Sequence, residues 1–221
     1  MNLIPISSLS RKLVFLLKLQ VAVMAVSILT GIYEYIEYSS VPEDTSYYDV
    51  YFTSDTIAGI VGLIFMIMAI IIGIVFLKWI YRVNKNLNTM SGGGLKFTPG
   101  WSIGWYFIPF ANIYKPYQAM KEIYLTCKDN PDAKTSLLVQ WWSFWILSSA
   151  VGQIVFRATS GAETVGDHLD GVIIYMFSDG IDILLNLIAI KLVLAILAAY
   201  RQNIDESDID QMNATVKTMK S

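Results

Sequence analysis

Charged residues are scarce in this chain. Aspartate, glutamate, lysine and arginine make up 15% of its 221 residues, and apolar residues make up 55%. Soluble domains usually carry about 25% charged residues, so the composition disfavours a soluble globular protein. The formal net charge is −2, and this gives no overall basic field. We therefore expect no nucleic acid among the partners.

Cysteine and histidine are almost absent as well. The single cysteine, Cys127, excludes an intramolecular disulfide and any zinc cluster built from several cysteines. The single histidine, His168, excludes a metal site built from several histidines. Because Glu163, Asp167 and Asp170 surround His168 in the sequence, a metal site is one alternative there, but we expect a solvated polar loop. The prediction is no metal and no cofactor.

Long apolar runs account for the unusual composition. Four runs approach the roughly 20 residues that an α-helix needs to cross a bilayer. They cover residues 13–33, 56–77, 136–156 and 181–200. The second run contains no charged residue at all. This pattern predicts an all-α integral membrane protein with four transmembrane helices, in a single multi-pass domain over residues 1–221.

The distribution of charge predicts the orientation of these helices. The segment Glu34–Asp55 contains six acidic residues and neither lysine nor arginine. Lysine and arginine are enriched in cytoplasmic loops, so residues 34–55 should form an acidic outer loop. The N-terminus, with Arg11 and Lys12, then lies in the cytoplasm. Four spans return the tail, residues 204–221, to the cytoplasmic side.

Prolines interrupt the aromatic segment 99–127. Pro109 and Pro116 disfavour helical geometry at the residues before them, Ile108 and Lys115. About ten helical residues before the first break rise only about 15 Å, half the hydrocarbon core. We therefore predict a short helix, a break and an amphipathic helix, which together enter and leave on the cytoplasmic side.

The positive-inside rule favours this arrangement. If residues 99–127 do not cross the membrane, Arg157 is the one basic residue, lysine or arginine, in either outer loop. Residues 78–134 then form a cytoplasmic or interfacial segment. Two alternatives stay open for the break. It is either re-entrant, with its unpaired backbone lining a cavity, or interfacial, with water satisfying that backbone.

The same aromatic segment carries a family resemblance. The run "FTPGWSIGWYFIPFANIYKPYQAMKEIY", Phe97–Tyr124, resembles the signature of the bacterial membrane family called domain of unknown function 4328. The resemblance extends to "LKWIYRVNKNL" at Leu77–Leu87, to Trp141-Trp142 and to "YRQN" at Tyr200–Asn203, and so covers about residues 77–203. It implies a multi-pass protein of the bacterial inner membrane. It transfers no catalytic residue, because the family carries no established activity.

Lys191 lies near the middle of the fourth apolar run. A lysine at the bilayer centre costs about 2.5–3.5 kcal/mol on insertion scales, so we expect its ammonium to face the helix bundle. There it either contacts an ion or substrate, or forms structural hydrogen bonds with polar neighbours. The candidate intramembrane polar site comprises Lys191, Asn112, Gln140 and Asn186.

No nucleophile–base pair or carboxylate dyad stands out in the sequence, so we do not expect an enzyme. We expect a membrane interaction or accessory protein. Its partners would be the lipid bilayer and either other proteins or a second copy of the chain. The alternative is a small transporter or channel that uses the broken segment 99–127 and Lys191.

Overall fold

A computed structural model describes the backbone of residues 3–218 and the side chains of residues 3–203. Within this range the protein is built from α-helices and short 3-10 turns and has no β-strand. The α-helices are α1 (Ser7–Tyr38), α2 (Thr53–Met90), α3 (Pro99–Gly104), α4 (Lys115–Cys127), α5 (Ser136–Ser160) and α6 (Val165–Thr218). The predicted all-α fold is confirmed.

Among the described residues, three helices are long and apolar enough to cross a membrane. They are α1, α2 and the part of α6 that covers Val165–Asn203. The described residues of α5 form a helix of 25 residues that is not among the three. The mean hydropathy of α5 is lowered by its two glutamines, Gln140 and Gln153, and by its three tryptophans. By length and composition, the described residues thus contain three candidate spans, whereas the sequence predicted four.

The last helix is longer than the predicted span. It begins at Val165, whereas the apolar run begins near Ile181. Val165, Leu169 and Val172 recur at helical spacing and are all buried, so this segment packs as a helix rather than forming a loop. The connection between α5 and α6 therefore shortens to residues 161–164.

The broken segment has the predicted interruptions. After α3, a 3-10 turn at Trp105–Phe107 leads to an extended residue, Ile108, with φ −100° and ψ 117°. A second 3-10 turn covers Ala111–Ile113, and α4 begins at Lys115. Both interruptions therefore lie at or near the predicted positions, immediately before Pro109 and Pro116. Between them Phe110 adopts φ +62°, a region that side chains larger than glycine rarely occupy.

The chain divides into two compact units. The first comprises Met1–Val14, Val75–Val139 and Lys191–Ser221, and the second comprises Phe15–Ile74 and Gln140–Ile190. Each unit combines segments that are distant in the sequence, so neither is a contiguous domain.

In the first unit, a buried polar residue joins three segments of the chain. Asn86 of α2 accepts a hydrogen bond from the Ile4 backbone N–H at 2.9 Å and donates to the Ile4 carbonyl at 2.8 Å. Its amide also donates to the Tyr200 hydroxyl on α6 at 2.7 Å. Asn86 is almost fully buried, and these bonds satisfy its amide away from water. The predicted amphipathic helix is α4, and it buries Met120 and Cys127 in the same unit.

Candidate functional site

A cluster of polar side chains lies at one end of the second unit, where α1 ends and α2 and α6 begin. Its central members are Glu34 on α1, Asp55 on α2 and His168 on α6. One ligand atom from each, a carboxylate oxygen or an imidazole nitrogen, lies within 4.8 Å of the others. These three residues are called the outer cluster below.

The face of α1 that points into the second unit explains why Glu34 is buried. Gln20, Met24, Gly31, Glu34 and Tyr38 follow one another at intervals of three, four or seven residues, and all are buried. This spacing places them on one stripe of the helix. The acidic outer loop predicted for residues 34–55 is therefore wrong in its first part, because Glu34 is a core residue of α1.

Glu34 is 4% exposed and has two partners on α6. Its Oε1 lies 3.0 Å from His168 Nε2, and its Oε2 accepts a hydrogen bond from the Tyr175 hydroxyl at 2.8 Å. Gly31 makes this approach possible, because a Cβ atom there would stand 2.5 Å from the Tyr175 hydroxyl oxygen. The buried carboxylate thus fixes α6 against α1.

Asp55 connects α2 to the same place. Both of its carboxylate oxygens lie 2.9 Å from the Tyr38 hydroxyl, which donates to them. Its Oδ2 also accepts from the Phe52 backbone N–H at 2.7 Å. Asp55 lies in the first turn of α2, where the helix dipole favours a negative charge.

Aromatic rings hold the histidine in place. The Tyr47 ring stacks on His168 at a centroid distance of 4.3 Å, with 14° between the ring planes. The Tyr38 ring lies 4.4 Å from the same imidazole. Burial, together with the nearby carboxylates of Asp55 and Glu34, raises the pKa of Tyr47 above its usual value. Tyr47 is therefore a neutral phenol at physiological pH.

The loop that carries Tyr47 is bonded to the start of α6. Tyr47 N donates to the Glu163 carbonyl at 2.9 Å, and Val165 N donates to the Thr45 carbonyl at 2.9 Å. Gly166 N donates to the Glu43 carbonyl at 3.0 Å. The bonds from Val165 and Gly166 satisfy first-turn N–H groups of α6 that have no partner within the helix.

The environment of His168 differs from the expected solvated loop. Its side chain is 13% exposed and lies in the first turn of α6. The expectation was wrong because the nearest residues in sequence are not the nearest in space. Glu163 and Asp167 flank His168 along the chain, but Glu34 and the rings of Tyr38 and Tyr47 surround it.

The four polar residues predicted for an intramembrane site have different surroundings in the structure. Lys191 is exposed, and no described residue forms a hydrogen bond or an ion pair with it. Its expected inward orientation is thus not seen. Gln140 is exposed, and Asn112 is half-buried. Asn186 is buried and donates to the Asp182 carbonyl, at 2.8 Å, and to Met24 Sδ, at 3.9 Å.

Sequence reasoning missed the outer cluster. The signal available was an acidic residue on the buried stripe of α1, with Tyr38 one turn later. Asp182 of α6 likewise has a partner on another helix, because it accepts a hydrogen bond from the Ser148 hydroxyl of α5. Both polar contacts join side chains on different helices.

A comparison with protein-family models matches residues 43–198 to the family described as Domain of unknown function (DUF4328). The chain belongs to this family. The match begins earlier than the resemblance at 77–203, so it includes most of the loop between α1 and α2, all of α2, and two members of the outer cluster, Asp55 and His168. It ends before "YRQN" at Tyr200–Asn203, and Glu34 precedes it. Comparisons with curated proteins and with solved structures found no match.

The substitution Tyr38→Phe tests the packing of the outer cluster. It removes the hydroxyl that donates to Asp55 and leaves the buried ring in place. A hydrogen bond to a charged group contributes about 1.5–3 kcal/mol, and we expect the free energy of unfolding to fall by about that amount. Chemical unfolding in detergent measures it. The control is Tyr48→Phe, at a ring that is 77% exposed, and an equal effect of both variants would contradict the assignment.

Proposed function

We propose that this DUF4328 protein is a four-span protein of the bacterial inner membrane with both termini in the cytoplasm. We further propose that it acts as an interaction or accessory protein, which binds other components at the outer side of the membrane, and not as an enzyme. The proposal rests first on α2, then on the ends of the helices, and finally on the outer loop.

The apolar surface of α2 is the observation that carries the proposal. None of the 18 residues in its most apolar stretch is buried inside the chain. Isoleucines including Ile60, Ile67 and Ile74 are exposed along it, and residues 56–77 carry no charge. In water such a surface would cost about 25 cal/mol per Å² of apolar area. Lipid acyl chains are the solvent that suits it.

The outer cluster supports a fourth span. It holds the end of α1, the start of α2 and the start of α6 together. If α2 and α6 both begin at the outer side and cross inward, the chain between them must cross outward an odd number of times. The 25 residues of α5 rise about 37 Å, enough for one crossing. The six residues of α3 rise only about 9 Å.

The broken segment suits the cytoplasmic interface. Its exposed side chains are large and apolar or aromatic: Trp101, Phe107, Phe110, Ile113 and Tyr114. Such rings favour the level of the lipid headgroups. The Lys115 ammonium lies 5.4–5.9 Å from the ring centroids of Tyr114, Trp105 and Phe97, so cation–π contacts hold it in the same aromatic surface.

The outer loop supports a binding role. Between Lys18 and Lys78 the sequence has no lysine or arginine, while Glu43, Asp44 and Asp49 are exposed. Tyr48 and Tyr51 are among the most exposed side chains of the described residues, at 77% and 74%. Tyrosine is enriched in protein interfaces and in their energetic hot spots. This acidic, tyrosine-bearing surface is complementary to a partner with a basic outer face.

Cysteine accessibility in intact cells tests the topology. In a Cys127→Ala background, single cysteines replace Asp44, Glu163, Ser91 and Asp132, four exposed positions. We expect a membrane-impermeant maleimide to label the first two and to leave the last two protected until the cells are opened. Position 132 decides between the models, because external labelling there would mean that the broken segment crosses the membrane and that α5 does not.

Photo-crosslinking tests the binding role. A benzoyl-phenylalanine at position 48 replaces an exposed ring of the outer loop, and the same residue at position 132 is the control on the opposite side of the proposed membrane. We expect position 48 to give a discrete protein adduct in cells that weakens as ionic strength rises, because the contact depends on charge. Lipid adducts alone at position 48 would contradict a protein-binding role for the loop.

A further inference from the structure

We propose that the outer cluster is a binding site for one divalent transition-metal ion, with zinc as the best match, held by Glu34, Asp55 and His168. This site goes beyond the proposed partner binding. Three residues from three helices supply two carboxylates and one imidazole. Carboxylate and imidazole are both ligands of zinc, whereas an imidazole disfavours magnesium and calcium.

The distances between the ligand atoms fit a small ion. Zinc lies about 2.0–2.2 Å from imidazole nitrogen and carboxylate oxygen, so two such ligands of a tetrahedral site lie about 3.3 Å apart. His168 Nε2 and Glu34 Oε1 are already 3.0 Å apart. All three ligand atoms lie within 4.8 Å of one another.

The imidazole is oriented for a ligand. His168 Nε2 is buried and has no hydrogen-bond partner among the described residues, although Glu34 Oε1 is close to it. Stacking on Tyr47 and contact with Tyr38 fix the ring plane. A contact of 3.0 Å between Nε2 and Glu34 Oε1 is favourable when either a proton on Nε2 or a cation lies between the two atoms. A metal ion supplies that cation.

Further hydrogen bonds orient the carboxylates. The Tyr175 hydroxyl donates to Glu34 Oε2, which leaves Oε1 facing His168. The Phe52 backbone N–H and the Tyr38 hydroxyl donate to Asp55. Donors of this kind around the ligands are typical of metal sites, where they fix ligand geometry.

The charge of the cluster also calls for a cation. The cluster places two acidic side chains, Glu34 and Asp55, beside one imidazole. The second unit contains two basic residues of the lysine and arginine class, Lys18 and Arg157. Neither forms an ion pair with Glu34 or Asp55 in the described part of the chain. A divalent ion neutralises the cluster, and three protein ligands leave a fourth position for water or for a group from a partner.

Metal titration of the purified full chain in detergent tests the proposal. After treatment with a chelator, Zn²⁺ is added in a calorimeter and Co²⁺ is followed by its visible absorption. We expect one ion per chain and a rise in melting temperature with Zn²⁺, since a ligand that binds the folded state stabilises it. His168→Gln should weaken binding at least about 100-fold and remove the cobalt absorption bands.

Asp170→Asn is the matched control. It removes an exposed acidic residue two positions from His168 and leaves the three ligands intact, so its affinity should equal that of the wild type. If His168→Gln does not fold, Asp55→Asn replaces it, because the new side-chain amide keeps an oxygen for the bonds from Phe52 and Tyr38. Substoichiometric binding, or affinity that the ligand variants leave unchanged, would overturn the proposal.

Discussion

The burial of the Glu34 carboxylate is the constraint on which the second unit depends. A charged carboxylate removed from water costs several kcal/mol unless nearby groups compensate it. Glu34 finds that compensation on α6, from Tyr175 and His168, and Gly31 clears the space that the Tyr175 hydroxyl needs. Asp55 extends the same arrangement to α2 through Tyr38. Three helix ends are thereby held together by polar contacts, while apolar side chains remain exposed along α1 and α2.

This arrangement links the chemistry of the cluster to the topology of the chain. Helices that begin and end at one common point cannot cross a membrane in arbitrary directions, and the fourth span proposed for α5 follows from that restriction. The outer cluster also adjoins the acidic loop. Backbone hydrogen bonds between this loop and the start of α6 keep the Tyr47 ring stacked on the His168 imidazole. A metal ion in the cluster and a protein partner on the loop would therefore act on neighbouring parts of one structure, and each could influence the other.

Local patterns predicted much of the fold. The apolar runs indicated long helices, and the prolines indicated breaks at Ile108 and Lys115, because both effects depend on neighbouring residues. The cluster could not be predicted in this way, since Tyr175 and Glu34 are 141 residues apart in sequence. The orientation of Lys191 could not be predicted from local patterns either. Its position along the helix could be predicted, but the direction of its side chain depends on packing, and the structure leaves it exposed.

A double-mutant cycle between Glu34 and His168 tests the central claim most directly. The free energy of unfolding is measured in detergent, with a chelator present, for the wild type, Glu34→Gln, His168→Gln and the double variant. A contact that joins the two helices predicts a coupling energy of about 1–3 kcal/mol between the substitutions, and Glu34→Gln combined with Asp170→Asn should be additive. Additivity of the Glu34 and His168 substitutions, to within about 0.5 kcal/mol, would contradict the account.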